Sequence, residues 1–356
     1  MPYVNWHGIA CQAWNLPTDR ALLSIYIHTS EQGNQVYQDL IRQEKQVLKS
    51  LNDSFKLSNG YSIPCIGFGT WKVATGESGA EVVRKAIESG YRHIDGAAIY
   101  GNEKDVGAGI RASGIAREEL FITSKVWNDD RGYKTTLAAF DRTLNDLGLE
   151  YLDLYLIHWP ASSSRFADWE QINLDTWQAM TELYKAGRIK SIGVSNFLPH
   201  HLKALLGAEV KPMVNQLEIH PGYLQRETVE LCQKEGIVVE AWSPLGRERI
   251  FNNPLLIELA AKYGKSVAQI CLRWCLQHNT LPLPKTATPS RMVETCSVLP
   301  PCLLQVNQAC ILMRLLSKSN SSHSMPVLNM PQHTCPLPGR RKAWPAPHPL
   351  PFNGIP

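Results

Sequence analysis

From Ile63 to Lys285, short apolar runs alternate with longer segments whose apolar residues recur at helical spacing. The runs are Ile66–Thr70, Arg92–Asp95, Leu120–Lys125, Leu152–His158, Ile189–Ser195, Met213–Glu218, Val238–Ser243 and Leu281–Lys285. Between them lie helical patterns such as Glu77–Ser89, Tyr133–Leu147, Leu174–Ala186, Arg226–Glu235 and Ser266–His278. A short apolar run bounded by turn residues reads as a buried strand, and apolar positions three and four apart read as one helix face. The spacing of about 25 to 40 residues is that of one strand–helix unit. Eight such units predict an α/β chain folded as a closed (β/α)8 TIM barrel, with an open doubly wound sheet as the rival.

The polar residues cluster at the C-terminal ends of the runs: Asp95, Lys125, His158, Ser195, Glu218, Ser243 and Lys285. That end of a barrel carries its active site. The rival fold requires a glycine-rich turn straight after its first strand. Gly107-Ala108-Gly109-Ile110-Arg111-Ala112 satisfies that pattern in letters, but it follows the charged helical stretch Glu103–Asp105. It reads instead as small residues where a helix packs closely.

Residues 1–54 lack the rhythm and form an N-terminal extension, within which Gln35–Leu51 could be an amphipathic helix. Asn59-Gly60, between Phe55–Leu57 and Tyr61–Ile63, predicts a hairpin with a two-residue turn. The barrel is expected over 55–294. Residues 295–356 form a tail holding eleven of the 23 prolines, without periodicity and expected to be largely disordered. Pro300-Pro301 also stops any helix continuing from Arg291. So abrupt a change is of the kind that a shifted reading frame or an unspliced transcript produces.

Composition narrows the function. Among 356 residues the hydrophobic share is 44%, enough for a sizeable core, and no run of eighteen apolar residues predicts a membrane span. The net charge of +4 belongs to the tail, which has five basic residues and no acidic ones; without them, 31 basic residues face 32 acidic. Such a body carries no nucleic-acid footprint. Nine cysteines at irregular spacing, with no secretory leader, fit free thiols in a cytoplasmic protein. Cys271 and Cys275 stand four apart on a helix, yet no His or second Cys pair completes a metal site, so buried thiols are expected.

The sharpest chemistry lies in Arg92-His93-Ile94-Asp95-Gly96-Ala97-Ala98-Ile99-Tyr100-Gly101-Asn102-Glu103, followed by Thr123-Ser124-Lys125 and Leu156-Ile157-His158-Trp159-Pro160. Successive strand ends thus deliver Asp95, Tyr100, Lys125 and His158. A phenol with a pKa of about 10 is a weak acid near neutrality, and an ammonium beside it favours its ionised form. In this reading Tyr100 donates the proton, Lys125 tunes it, Asp95 orients Lys125, and His158 hydrogen-bonds the substrate oxygen. Taken singly, each of the four has a plainer explanation as a cap, a packing ring, a solvated charge or a core histidine.

These motifs resemble the aldo-keto reductases, most nearly the prokaryotic 2,5-diketogluconate reductase-like branch, over roughly Phe55 to Glu294. The resemblance implies reduction of aldehydes or ketones by hydride transfer from NADPH, giving NADP+, on a small-molecule carbonyl substrate. It implies a monomer, and a hairpin plugging the barrel floor. Cofactor contacts are implied for Thr70, for Ser195 and Asn196 in Gly193-Val194-Ser195-Asn196-Phe197, and for Gln216. They are implied also for Trp242, Ser243 and Leu245 in Trp242-Ser243-Pro244-Leu245-Gly246, with the Trp242 ring stacking on nicotinamide. Lys285, Thr286 and Arg291 resemble the site for the adenosine 2′-phosphate, which favours NADPH over NADH. Trp71, Trp127 and Trp159, with His158, are expected to line the substrate pocket. The chain departs from the family at Gly96, where Thr is common, and at Thr295, where an adenine-contacting Asn precedes a closing helix. Two other readings stand beside this one: a cofactor-binding regulatory or structural barrel, and a poorly folding product that lacks the closing helix.

Overall fold

Each of the eight apolar runs overlaps a strand. The computed structural model describes residue 48 and residues 50–298. After a short antiparallel pair, β1 (Ser54–Lys56) and β2 (Ser62–Pro64), come the barrel strands. These are β3 (Phe68–Gly69), β4 (His93–Asp95), β5 (Phe121–Val126), β6 (Leu154–Ile157), β7 (Ile192–Ser195), β8 (Val214–Glu218), β9 (Val238–Trp242) and β10 (Thr280–Leu283). They pair in parallel in chain order. Two backbone bonds join the first strand to the last, Gly67 N to Pro282 O at 3.1 Å and Gly69 N to Pro284 O at 2.9 Å. The (β/α)8 barrel expected from the pattern is therefore the fold.

Strands in a parallel barrel are covered on both faces, which is why these read as apolar runs without alternation. All six residues of β5 and all four of β6 are buried. Helices fill the connections, among them Glu77–Glu88, Glu103–Ala112, Tyr133–Leu147, Trp169–Lys185, Arg226–Lys234 and Val267–Gln277. The fourth starts five residues before the expected Leu174. The helix Val267–Gln277 opens on a reciprocal cap: Ser266 Oγ accepts from Gln269 N, and Gln269 Oε1 accepts from Ser266 N. Cys271 and Cys275 on this helix are buried free thiols.

The small-residue motif Gly107-Ala108-Gly109 is explained by the packing. An added Cβ at Gly107 would stand 2.0 Å from Leu147 O, and one at Gly109 would stand 2.4 Å from Ala80 O. These glycines let the helix Glu103–Ala112 lie against its neighbours, as the sequence suggested. The hairpin differs in detail from expectation. Leu57 N bonds Tyr61 O and Gly60 N bonds Leu57 O, so the loop has three residues, Ser58-Asn59-Gly60, not two. Gly60 takes the left-handed position (φ +86°) that such a loop needs. Tyr61 Oη donates to Asp153 Oδ1 at 2.9 Å and Asn59 Nδ2 to Lys190 O at 2.9 Å, anchoring the hairpin beside the starts of β6 and β7 at the barrel floor.

The last described helix, Pro289–Cys296, is held by Tyr91 Oη to Thr295 Oγ1 at 2.7 Å and by Gln269 Nε2 to Glu294 O at 3.0 Å. Thr295 thus turns its hydroxyl into the packed interface. The expected disorder of the tail beyond residue 298 lies outside the described residues. So does the amphipathic stretch Gln35–Leu51, except for its last positions, which are not helical.

Candidate active site

The C-terminal ends of β4, β5 and β6 carry Asp95, Lys125 and His158 to one point, with Tyr100 on a short 3-10 turn, Ala98–Tyr100, between them. Lys125 is fully buried, and its Nζ lies 2.7 and 2.8 Å from Asp95 Oδ1 and Oδ2 and 2.9 Å from Gly96 O. Burial alone would push the Lys125 pKa down. Asp95, Tyr100 and Glu240 outweigh it, and the ammonium ends above the usual lysine value. Its Nζ sits 5.5 Å from the centre of the Tyr100 ring.

The His158 ring meets Tyr100 edge-on at 5.8 Å and Trp127 at 5.1 Å. Burial, with Lys125 adding to it, holds the pKa of His158 far below its ordinary value, so the ring is neutral. Its Nδ1 is buried without a hydrogen-bond partner. Asn102 fixes the Tyr100 turn from below by donating to Thr70 O at 3.0 Å and Val73 O at 3.3 Å, while Thr70 Oγ1 donates to Asp95 O at 2.9 Å.

On the facing wall, Ser195 Oγ donates to Gln216 O at 2.9 Å. Asn196, in a left-handed conformation (φ 64°), donates through Nδ2 to His158 O and Ser195 Oγ, both at 3.0 Å. Its Oδ1 accepts from Trp242 Nε1 at 3.0 Å. Ser195, Asn196, Trp242 and His158 are thereby locked into one hydrogen-bonded wall. Gln216 Nε2 bridges Asp95 Oδ1 at 2.9 Å and Glu240 Oε2 at 2.7 Å. Ser243 follows Trp242 in a left-handed turn (φ 50°), with Leu245 half-buried beyond it.

Trp71, Trp127 and Trp159 follow β3, β5 and β6 at the mouth, the first exposed and the other two half-buried. Lys285, Thr286 and Arg291 follow β10. Lys285 and Arg291 are exposed and make no ion pair among the described residues, and Thr286 Oγ1 accepts only the nearby Thr288 N.

Three participants escaped the reading of strand ends. Arg247 lies 5.4 Å from the ring centres of both Trp71 and Trp242, linking the first and seventh barrel strands across the mouth. Glu240 and His93 lie fully buried beneath the cluster. The period of a strand could have found these two, since positions i and i+2 share a face: His93 with Asp95, Glu240 with Trp242.

Comparison with known proteins agrees with this architecture. Residues 65–301 match the Aldo/keto reductase family. The chain is 52% identical to glyoxal reductase of Bacillus subtilis over 250 residues, covering 70% of this chain and 88% of that protein. It is 48% identical to the 9,11-endoperoxide prostaglandin H2 reductase of Trypanosoma cruzi, over 68% and 84% of the two chains. Among solved structures, an aldo/keto reductase from Brucella melitensis superposes with a TM-score of 0.69 at 42% identity, over 74% of this chain and 99% of that one. A Bombyx mori aldo-keto reductase in complex with NADP superposes with a TM-score of 0.68 at 33% identity, over 75% and 93%.

Proposed function

The chain belongs to the aldo/keto reductase family, and from that premise we propose that it reduces aldehydes or ketones to alcohols with NADPH, using Tyr100 as the general acid. The observation that carries this reading is the buried Lys125–Asp95 pair with the Tyr100 ring 5.5 Å from the ammonium and edge-on to His158 at 5.8 Å.

When bound, the reduced nicotinamide supplies the hydride that turns the carbonyl carbon into an alcohol carbon. Tyr100 gives its phenolic proton to the carbonyl oxygen as negative charge develops there. The Lys125 ammonium stabilises the phenolate left behind, and Asp95 holds that ammonium in place. His158, being neutral, offers one ring N–H to the substrate oxygen without competing as an acid. Pre-set donors of this kind act on the transition state at no reorganisation cost.

The wall fits the cofactor. Gln216 has both amide protons committed, so its Oε1 is left to accept from a carboxamide. Ser195 and Asn196 stand beside it, the half-buried Trp242 suits stacking against a flat ring, and we assign Thr70, Ser243 and Leu245 to the same cofactor. Lys285 and Arg291, exposed and unpaired, with Thr286 between them, suit the phosphate that separates NADPH from NADH. Trp71, Trp127 and Trp159 give the substrate an apolar surround. Among the described residues no helix is long and apolar enough to cross a membrane, and five buried free thiols suit a reducing compartment. We place its action in the cytoplasm, as a monomer.

A panel of aldehydes, dicarbonyls such as glyoxal, and keto sugars, followed by loss of reduced-cofactor absorbance, tests the proposal. Turnover of one or more with NADPH is expected. No turnover by folded protein across the panel would leave the barrel a binding protein instead.

A further inference from the structure

One buried acid beneath the site has no part in the reaction just described. β9 directs Glu240 into the barrel two residues below Trp242, and β8 sets Gln216 opposite it in register. His93 lies in the same way below Asp95, and Thr123 below Lys125. Glu240 and His93 have no solvent exposure. Gln216 Nε2 is shared between Asp95 Oδ1 and Glu240 Oε2. Glu240 Oε1 has no hydrogen-bond partner and lies 3.7 Å from His93 Nε2, which pairs with Thr123 Oγ1 at 3.0 Å.

Charge decides the state of this acid. The groups facing it are Asp95, Lys125 and His93, with Tyr100 reached through Lys125. His93 supplies no cation, because burial and Lys125 push its pKa down to about 3. An ionised Glu240 would set two carboxylates against one ammonium among buried side chains, an arrangement that a protein interior penalises heavily. We propose that Glu240 is held as a neutral carboxylic acid and is a positioning residue, pinning the Gln216 amide against Asp95 so that the Lys125–Asp95 pair carries one compensated charge when Tyr100 gives up its proton. This rests on the reading of Asp95, Tyr100 and Lys125 given above. Burial and the Asp95 charge push the Glu240 pKa up to about 8, against the opposing pull of Gln216 and Lys125.

Losing the Glu240 proton places a second negative charge beside Lys125. That charge draws the ammonium's field away from the Tyr100 phenolate, so proton donation slows on the alkaline side. Stability follows the same acid. With a folded pKa above the unfolded one, its contribution is fully present below about 4.5, falls as pH rises, and is gone above about 8.

Infrared spectroscopy of the whole protein, with activity measured in parallel, tests this. A carbonyl band of a protonated carboxyl is expected at pH 7 with a component that titrates away at a midpoint near 8, and that component is absent from Glu240→Gln and present in Glu103→Gln. Glu103 is the necessary control, since burial pushes its pKa up to about 7. Glu240→Leu removes the acceptor for Gln216 and is expected to lower kcat about tenfold with little change in KM. Glu240→Gln should restore most of it and flatten the alkaline fall of kcat that wild type shows as pH rises through about 8. The proposal is overturned if wild type shows no such band at pH 7, if the band disappears in Glu103→Gln, or if the pH profiles of wild type and Glu240→Gln run parallel. Should Glu240→Gln fail to fold, the Glu103→Gln spectrum alone still decides, because its band must titrate near 8. Tyr100→Phe separates this claim from the catalytic reading: it should keep the band, whatever it does to turnover.

Discussion

Lys125 reaches both carboxylate oxygens of Asp95, at 2.7 and 2.8 Å, from a position with no solvent exposure. Breaking a buried ion pair from one side leaves the other charge uncompensated, at a cost of about 3–5 kcal/mol. Asp95→Asn is therefore expected to lose about that much stability in urea melts at pH 7, together with most of its activity. A loss below about 1 kcal/mol would show that the pair is not the anchor of this site.

Gly96 accepts from Lys125 through its carbonyl and needs no left-handed backbone. A Cβ there would lie 3.4 Å from Thr123 O and 3.6 Å from Thr70 Oγ1, ordinary contact distances. Gly96→Ala should stabilise the protein by about 0.4–1 kcal/mol, through a less free unfolded chain, with activity kept. A fall in the melting temperature would mean that the loop requires glycine.

The barrel was legible because its strands are covered on both faces and so stand out as apolar runs. Tyr133–Leu147 was legible to the residue, since Gly132 and Gly148 bracket its periodic pattern. The hairpin loop was misjudged by one residue, because Asn-Gly suits a two-residue turn equally well and only the Leu57–Tyr61 pairing decides. Asp95, Lys125 and His158 could be read from strand ends. Glu240 and His93 could not, because they lie one layer deeper, where an acid or an imidazole looks like an interruption of a core strand. Arg247 was hidden for another reason: its link between Trp71 and Trp242 joins residues far apart in the chain, and no local pattern encodes that.

His158 is neutral because burial and Lys125 push its pKa well down. The pH profile of kcat/KM should accordingly lack an acidic inflection near 6.5, the ordinary histidine value, and stay level to well below it. An inflection there that vanishes in His158→Gln would show a histidine that charges within the working range.

Lys285 and Arg291 are exposed and free of carboxylate partners among the described residues. Lys285→Met or Arg291→Ala should weaken NADPH by about 1.5–3 kcal/mol, one to two decades in Kd, while barely altering NADH. Titration of both cofactors by fluorescence checks this, and equal weakening of the two would remove these residues from the 2′-phosphate site.

The central claim is that Tyr100 donates the proton, and its most direct test is Tyr100→Phe, which removes one oxygen and keeps the ring that packs against His158. Turnover of a carbonyl substrate and the Kd for NADPH should be measured on the same folded preparation. The account predicts a fall in kcat of about a hundredfold or more, the scale of general-acid catalysis, with NADPH binding unchanged. Near-wild-type turnover with NADPH still bound would contradict it.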